Sequence, residues 1–394
     1  MNRRTFLSQA LAGVAVAACG SNEVPPSTPE TLDDFVTKKL EEARLPGLSA
    51  AVIKGGKLLL LRHYGLADVP SRRPVEDGTA FFLASLSKTT TGVGAMKLVE
   101  AGKLSLEEDI GAYLPFKVRN PKFPDRKITL RHLMTHTSGI HETGARLLSL
   151  SRPGDPTMSL RELLEPYLVP GGATYTDGES YGPRPPGESF LYSNFGAALV
   201  GLLLERVSGK PFATYMRDEV FLPLGMPTTS FLFADFVPTN VATPHTYVSG
   251  KGQAAEPQSS VPYLPATALR SPAKELSTFL VSMANGGEAF GKRVLSAAAV
   301  AEMTRVHVAA KETGNDIDGQ GLFWEHRLVA NARAAGHGGS YFGTSSRMHV
   351  RPDGLGVITL ANGDVHLRLS VTRAEELAAY RAIEERLFAF GEAL

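Results

Sequence analysis

Cysteine is almost missing from this chain of 394 residues, where Cys19 is the only one. No internal disulfide can form, so packing and hydrogen bonds alone must hold the fold. An excess of either charge is missing too. Lysine and arginine total 41, aspartate and glutamate 40, and the formal net charge is +1. That balance leaves no basic footprint for nucleic acid. There is no internal repeat, and no low-complexity tract beyond a short Pro/Ser/Glu stretch near the start. What remains is an ordinary globular composition, 43% hydrophobic and 21% charged, long enough for one or two lobes. The 39 glycines and 26 prolines predict many turns and long irregular connections.

The first residues, MNRRTFLSQALAGVAVAACG, place the pair Arg3-Arg4 before a short apolar run over residues 10–18. That run is too short to span a bilayer, and its order of basic, apolar and small residues is that of a cleaved signal peptide over residues 1–18. Arg3-Arg4-Thr5-Phe6-Leu7 resembles a twin-arginine export signal. Val16-Ala17-Ala18-Cys19 resembles a bacterial lipobox, in which Cys19 is lipidated and becomes the mature N-terminus. Residues 19–30 then form a tether. The protein is expected on the periplasmic face of a bacterial membrane, anchored through Cys19, in the outer membrane if the host is Gram-negative.

Along the mature chain, helical spacing runs over residues 31–44 and stops before Pro46-Gly47. Two apolar runs around Gly55-Gly56 predict a β-hairpin. A helix is expected from about Ser85 to Ala101, closed by Gly102. Thr129 is placed to cap another over residues 130–136. Residues 137–188 are Gly/Pro-rich and aperiodic, as functional loops often are. Residues 195–207 read as a helix, as do the stretch from Ser271-Pro272 to Met283 and residues 374–388. Residues 322–324, 343–350 and 357–361 read as strands, the last two joined by Pro352-Asp353-Gly354. The economical fold is α+β. One mainly antiparallel sheet is built from both ends of the chain (residues 31–95 and 265–394), and residues 96–264 form a mostly helical second lobe with long loops. The cleft between them is the expected site.

Ser85-Leu86-Ser87-Lys88 is an S-x-x-K motif. On a helix, residues three apart share a face, so Ser85 and Lys88 can meet. Ser85 also falls at a helix start, where free N–H groups favour an oxyanion. A serine needs a base, and lysine serves only if its pKa falls from about 10.4 towards 7. Tyr192-Ser193-Asn194 stands at a loop-to-helix junction, from which Tyr192 can relay a proton and Asn194 can bridge Lys88 and the substrate. Gly336-His337-Gly338-Gly339-Ser340 precedes an expected strand. Its glycines allow close approach to a strand edge, and the N–H of Ser340 together with that of Ser85 would make an oxyanion hole. His132, His136 and His141 lack a carboxylate in register, and no metal is expected.

These three motifs in this order resemble the serine β-lactamase and penicillin-binding-protein superfamily, in particular its class C-like branch of D-alanyl-D-alanine carboxypeptidases, D-aminopeptidases and esterases. Residues 128–139 (ITLRHLMTHTSG) and 186–194 (PGESFLYSN) add to the resemblance. It implies a β-lactamase/transpeptidase-like α/β/α sandwich beside a helical lobe. It also implies Ser85 as nucleophile, Lys88 as base or charge partner, Tyr192 as general acid/base, Asn194 as a positioning residue, and no cofactor. One motif departs from the family. The familiar K-T-G carries a lysine that binds a substrate carboxylate, whereas His337-Gly338-Gly339 offers a mostly neutral histidine. This leans towards esters, or amides without that carboxylate. The expected function is a serine hydrolase that forms an acyl-enzyme on a small-molecule or short-peptide substrate, an ester or amide, with β-lactams and D-amino acid peptides among the candidates. The alternative is a slow penicillin-binding sensor or scaffold that retains the fold.

Overall fold

The computed structural model describes residues 30–313, 317–365 and 374–394. The stretch expected to be an export signal, and Cys19, lie outside the described residues. Helix α1 (Leu32–Glu42) opens the body of the chain. Strands β1 (Gly47–Lys54) and β2 (Lys57–Asp68) then form the expected hairpin. Its turn is Gly55-Gly56, with φ of 57° and 72°, angles at which a residue bearing a Cβ is strained.

Among the described residues, one nine-stranded antiparallel sheet contains β1, β2, β3 (Arg73–Pro74), β4 (Val308–Ala309), β5 (Gly319–Gln320), β6 (Glu325–Val329), β7 (Ala332–Tyr341), β8 (Thr344–Val350) and β9 (Gly356–Ala361). Its order is β4-β5-β6-β7-β8-β9-β1-β2-β3, so the last long strand lies beside the first. The α+β architecture and the joining of N- and C-terminal strands are as the sequence implies. β1 is covered on both faces, which explains why LSAAVI is a continuous apolar run rather than an alternating one. Leu48, Ala50 and Val52 pack with Val357 and Ala361 of β9 against α1 and the final helix α8 (Ala374–Ala393). Ala51 and Ile53 belong to the opposite core, with Ile358 and Leu360 of β9 and Leu276 and Leu280 of α7 (Ala273–Ala284).

One buried charge cluster lies under α8. Glu384 takes Arg347 Nε and His349 Nδ1, both at 2.5 Å. Burial alone would raise the carboxyl pKa, but the two partners hold it at about 2. Removing one side of such a buried pair typically costs about 3–5 kcal/mol, because the other is left charged and unpaired.

The middle of the chain supplies helices. α2 (Ser87–Glu100) is enclosed over most of its length, and small residues such as Thr90, Thr91, Gly92 and Ala95 let neighbours approach it. α3 (Leu130–Met134) is capped by Thr129 as expected, with His132 completing a capping box. Residues 137–188 are less irregular than the composition suggests. They contain α4 (Gly144–Ser149) and α5 (Leu160–Leu168). α5 opens with a capping box of Ser159 and Glu162, a signal readable in S-L-R-E. α6 (Asn194–Ser208) is capped by Ser193 and ended by Gly209 at φ 72°. Residues 322–324 are not a strand. Phe323 takes φ 60°, and its N–H goes to the Met134 carbonyl at 2.8 Å, so pairing begins only at Glu325.

Candidate active site

Ser85 sits in a single 3-10 turn, Ala84–Leu86, at the mouth of α2. The turn is strained and firmly held. Ala84 adopts φ 49°, an unfavourable angle for a residue with a Cβ. Leu83 N–H donates to the Leu269 carbonyl at 2.8 Å. Ser346 Oγ donates to the Leu83 carbonyl at 2.6 Å, and Ser87 Oγ to that of Ala84, also at 2.6 Å. Across from it, a Cβ on Gly339 would stand 2.1 Å from the Leu83 carbonyl oxygen, so only glycine lets β7 lie against the Ser85 turn. The glycines of the third motif therefore lie within β7, where the sequence placed them ahead of a strand. β6 pairs with β7 only as far as Gly336, which leaves residues 337–341 without a strand neighbour on that side. That open edge carries Ser340 to the cleft.

Lys88 is fully buried and reaches three acceptors: Ser85 Oγ at 3.2 Å, Asn194 Oδ1 at 2.8 Å and the Ala266 carbonyl at 2.8 Å. Burial brings its pKa down to about 7, against the opposing pull of Glu142 and Glu325. A neutral form is therefore available near pH 7, with a lone pair that can take the Ser85 proton. Tyr192 lies within hydrogen-bonding reach of Ser85, and the Lys88 ammonium is 4.8 Å from its ring centre. Burial first, then Glu325, pushes the phenol pKa up. The two groups are thus driven apart: Lys88 can act as base, while Tyr192 stays a protonated donor. His136 packs against Tyr192 with ring centres 4.3 Å apart and the rings tilted by 32°, and accepts the Ser193 N–H at Nδ1. Burial pushes its pKa well down, which keeps it neutral.

His337 is placed differently from Ser340. It is 2% exposed, with its ring centre 6.3 Å from that of Tyr192, and it does not line the cleft. Nδ1 donates to the Gly338 carbonyl at 2.5 Å, and Nε2 lies 3.5 Å from Glu325 Oε1. Burial lowers its pKa. His132 and His141 are used locally, His132 in the α3 capping box and His141 Nδ1 against the Glu179 carbonyl. Among the described residues, no group of His, Cys, Asp and Glu is arranged to hold a metal ion.

Sequence reasoning missed two carboxylates. Glu142 collects the Ser193 hydroxyl at 2.7 Å and the N–H groups of Asn194 at 2.6 Å and Phe195 at 3.3 Å. It thereby fixes the start of α6, which places Asn194 and the preceding Tyr192 beside Lys88. Glu325, held by Arg327 at 3.0 Å, stands behind His337. Because Glu142 raises the Lys88 pKa, Glu142→Gln is expected to move the acid limb of the kcat/KM profile to lower pH. An unmoved limb with reduced kcat would assign Glu142 to scaffolding alone.

The cleft above Ser85 has a volume of about 390 Å³ and is also bordered by Asn194, Thr267, Ser340 and the apolar faces of α4, Tyr263, Tyr341 and Phe342. A seryl hydroxyl bordering this cleft thus meets, outside the lining, a buried amine tuned to near neutrality and a protonated phenol. The Beta-lactamase family profile matches residues 32–381. The chain belongs to the beta-lactamase family. Its superfamily members are serine hydrolases that act through an acyl-enzyme. Among curated relatives, protein flp of Staphylococcus aureus (strain N315) is 27% identical over 233 residues, 59% of this chain and 43% of that protein. The chain thus corresponds to less than half of that relative's length. D-amino acid amidase of Ochrobactrum anthropi SV3 superimposes with a TM-score of 0.74 at 21% identity, over 92% of this chain and 99% of the amidase. The penicillin-binding protein homologue of Pyrococcus abyssi gives 0.73 at 23% identity, over 91% and 77%. At these identities the two structures establish the beta-lactamase/transpeptidase-like fold.

Proposed function

We propose that this member of the family hydrolyses small neutral carboxylic esters, and amides lacking a free carboxylate, through an acyl-Ser85 intermediate. The observation that carries the reading is the cleft lining, which contains no lysine, arginine, aspartate or glutamate. Nothing charged in that lining meets a substrate carboxylate, and His337 is buried away from it. In acylation, Ser85 Oγ attacks the carbonyl carbon and its proton passes to neutral Lys88. The N–H groups of Ser85 and Ser340 receive the oxyanion. Tyr192 gives its proton to the leaving oxygen as the C–O bond breaks, and Lys88 returns a proton to Tyr192. Water then attacks the acyl-enzyme along the reverse route and frees the acid.

The test is kcat/KM for p-nitrophenyl acetate, a chromogenic cephalosporin and a D-alanyl-D-alanine peptide. A charge-assisted contact to a carboxylate is typically worth roughly 1.5–3 kcal/mol, so its absence should favour the ester by about tenfold or more. A preference for the cephalosporin would overturn the reading. For location, we propose lipidation at Cys19 and attachment to the periplasmic face of a membrane, on the strength of the lipobox-like run. Cys19→Ala should move the protein from the membrane to the soluble fraction, and retention in the membrane would refute the anchor.

A further inference from the structure

The apolar half of the cleft is built largely by α4, which has an unusual position. None of its residues is buried, yet it is rich in apolar side chains. Leu148 is 39% exposed and Leu147 half-buried, and both line the cleft with Ala145. Arg146, the one charged residue of the helix, turns away: its guanidinium reaches the Thr174 carbonyl at 3.4 Å and stacks 5.5 Å from the Tyr167 ring centre. Opposite α4 stand Tyr263, Tyr341 and Phe342, and the Tyr263 hydroxyl donates to the Leu147 carbonyl at 3.4 Å, tying floor to wall. Keeping leucines half-exposed beside a nucleophile is costly unless something apolar covers them.

The direction of the cleft indicates which part of a substrate does so. Ser85, Asn194 and Ser340 border it, whereas Tyr192 does not. A leaving group must point at the Tyr192 hydroxyl to be protonated, so it points out of the apolar cleft. The group on the other side of the carbonyl then points into it. We propose that the α4 cleft is an acyl-chain site, and that Leu147 and Leu148 set a preference for esters of unbranched medium-chain fatty acids. This rests on the ester-hydrolase reading above.

Burial of a methylene contributes ~0.8 kcal/mol, or roughly fourfold in kcat/KM. From acetate to butanoate to hexanoate, kcat/KM of p-nitrophenyl esters should therefore climb steeply, reaching on the order of a hundredfold by hexanoate if each added methylene is buried. A series of acetates with ethyl, butyl and hexyl alcohols should stay nearly flat. The double variant Leu147→Asn/Leu148→Asn should lower the hexanoate-to-acetate ratio at least tenfold. Leu148 is exposed and Leu147 only half-buried against the core, and an unchanged urea midpoint in the single Leu148→Asn variant controls for folding. A turnover-independent readout is the Ki of n-alkylboronic acids, whose alkyl group occupies the acyl position on Ser85. Ki should fall from methyl to pentyl in the wild type and much less in the variant. Boronic acids that bind without regard to chain length, or a steep alcohol series with a flat acyl series, would overturn the acyl-chain site even with acetate turned over. Boronic acids that follow chain length while no ester is hydrolysed would support the site and sink the ester reading instead.

Discussion

Ser85→Ala is expected to lower ester kcat/KM by at least about 10³-fold while leaving the urea midpoint within experimental scatter. The size follows from what the substitution removes. Among the described residues, Ser85 supplies the cleft hydroxyl that is hydrogen-bonded to the Lys88 amine, at 3.2 Å. Without it the remaining groups can still bind and polarise a carbonyl, but no acyl-enzyme forms. Stability should hold because the nucleophile turn is pinned by other contacts, namely Leu83 to Leu269, Ser346 to Leu83 and Ser87 to Ala84. The Ser85 hydroxyl is also only half-buried, so its removal opens no core cavity. Retention of full activity would mean that the acyl group is carried elsewhere or not at all. Loss of both activity and folding would mean that Ser85 is part of the turn's support.

The elements legible in the sequence were those with local causes. The i,i+3 spacing of Ser85 and Lys88, the Gly55-Gly56 turn, the Thr129 cap and the junction before α6 each depend on a few neighbouring residues. The parts that escaped depend on contacts across the fold. Glu142 lies in a loop whose local sequence reads as turn and hydroxyl residues, and only the approach of α6 gives its carboxylate three donors. Glu325 follows an apolar run that periodicity assigns to a strand, but Phe323 bends there to meet Met134, a contact no local pattern reports. His337 could be recognised as replacing a lysine. That it points into the protein beneath Tyr192, leaving the cleft uncharged, needed the strand's orientation.

Replacing Lys88 by methionine is expected to abolish catalysis, by about 10³-fold or more, without weakening the fold. The two effects have one origin. In the unfolded chain Lys88 titrates near its ordinary value of 10.5, and in the folded protein at about 7. The folded state therefore binds this proton less readily. Above pH 10.5 the amine is neutral in both states and burial costs nothing electrostatic. As pH falls from there to about 7, the unfolded chain gains a proton that the folded protein resists, and stability drops over that window. Below about 7 both states are protonated and no further loss occurs. At neutral pH the buried amine thus costs the fold several kcal/mol, since each pKa unit is about 1.4 kcal/mol. Methionine removes that penalty and fills similar volume. It also forfeits the bonds to Asn194 Oδ1 and the Ala266 carbonyl, each worth about 1 kcal/mol net, which offsets part of the gain. The variant should unfold at the same urea concentration as the wild type or a higher one. The wild type's midpoint should rise between pH 7 and 9 more than the variant's does. Enzymatically, wild-type kcat/KM should climb about tenfold per unit below pH 7 and level off above it, as neutral Lys88 accumulates. A clearly destabilised variant would show that the lost hydrogen bonds to Asn194 and Ala266 outweigh the buried charge. A wild-type profile flat through pH 7 would take the role of base away from Lys88.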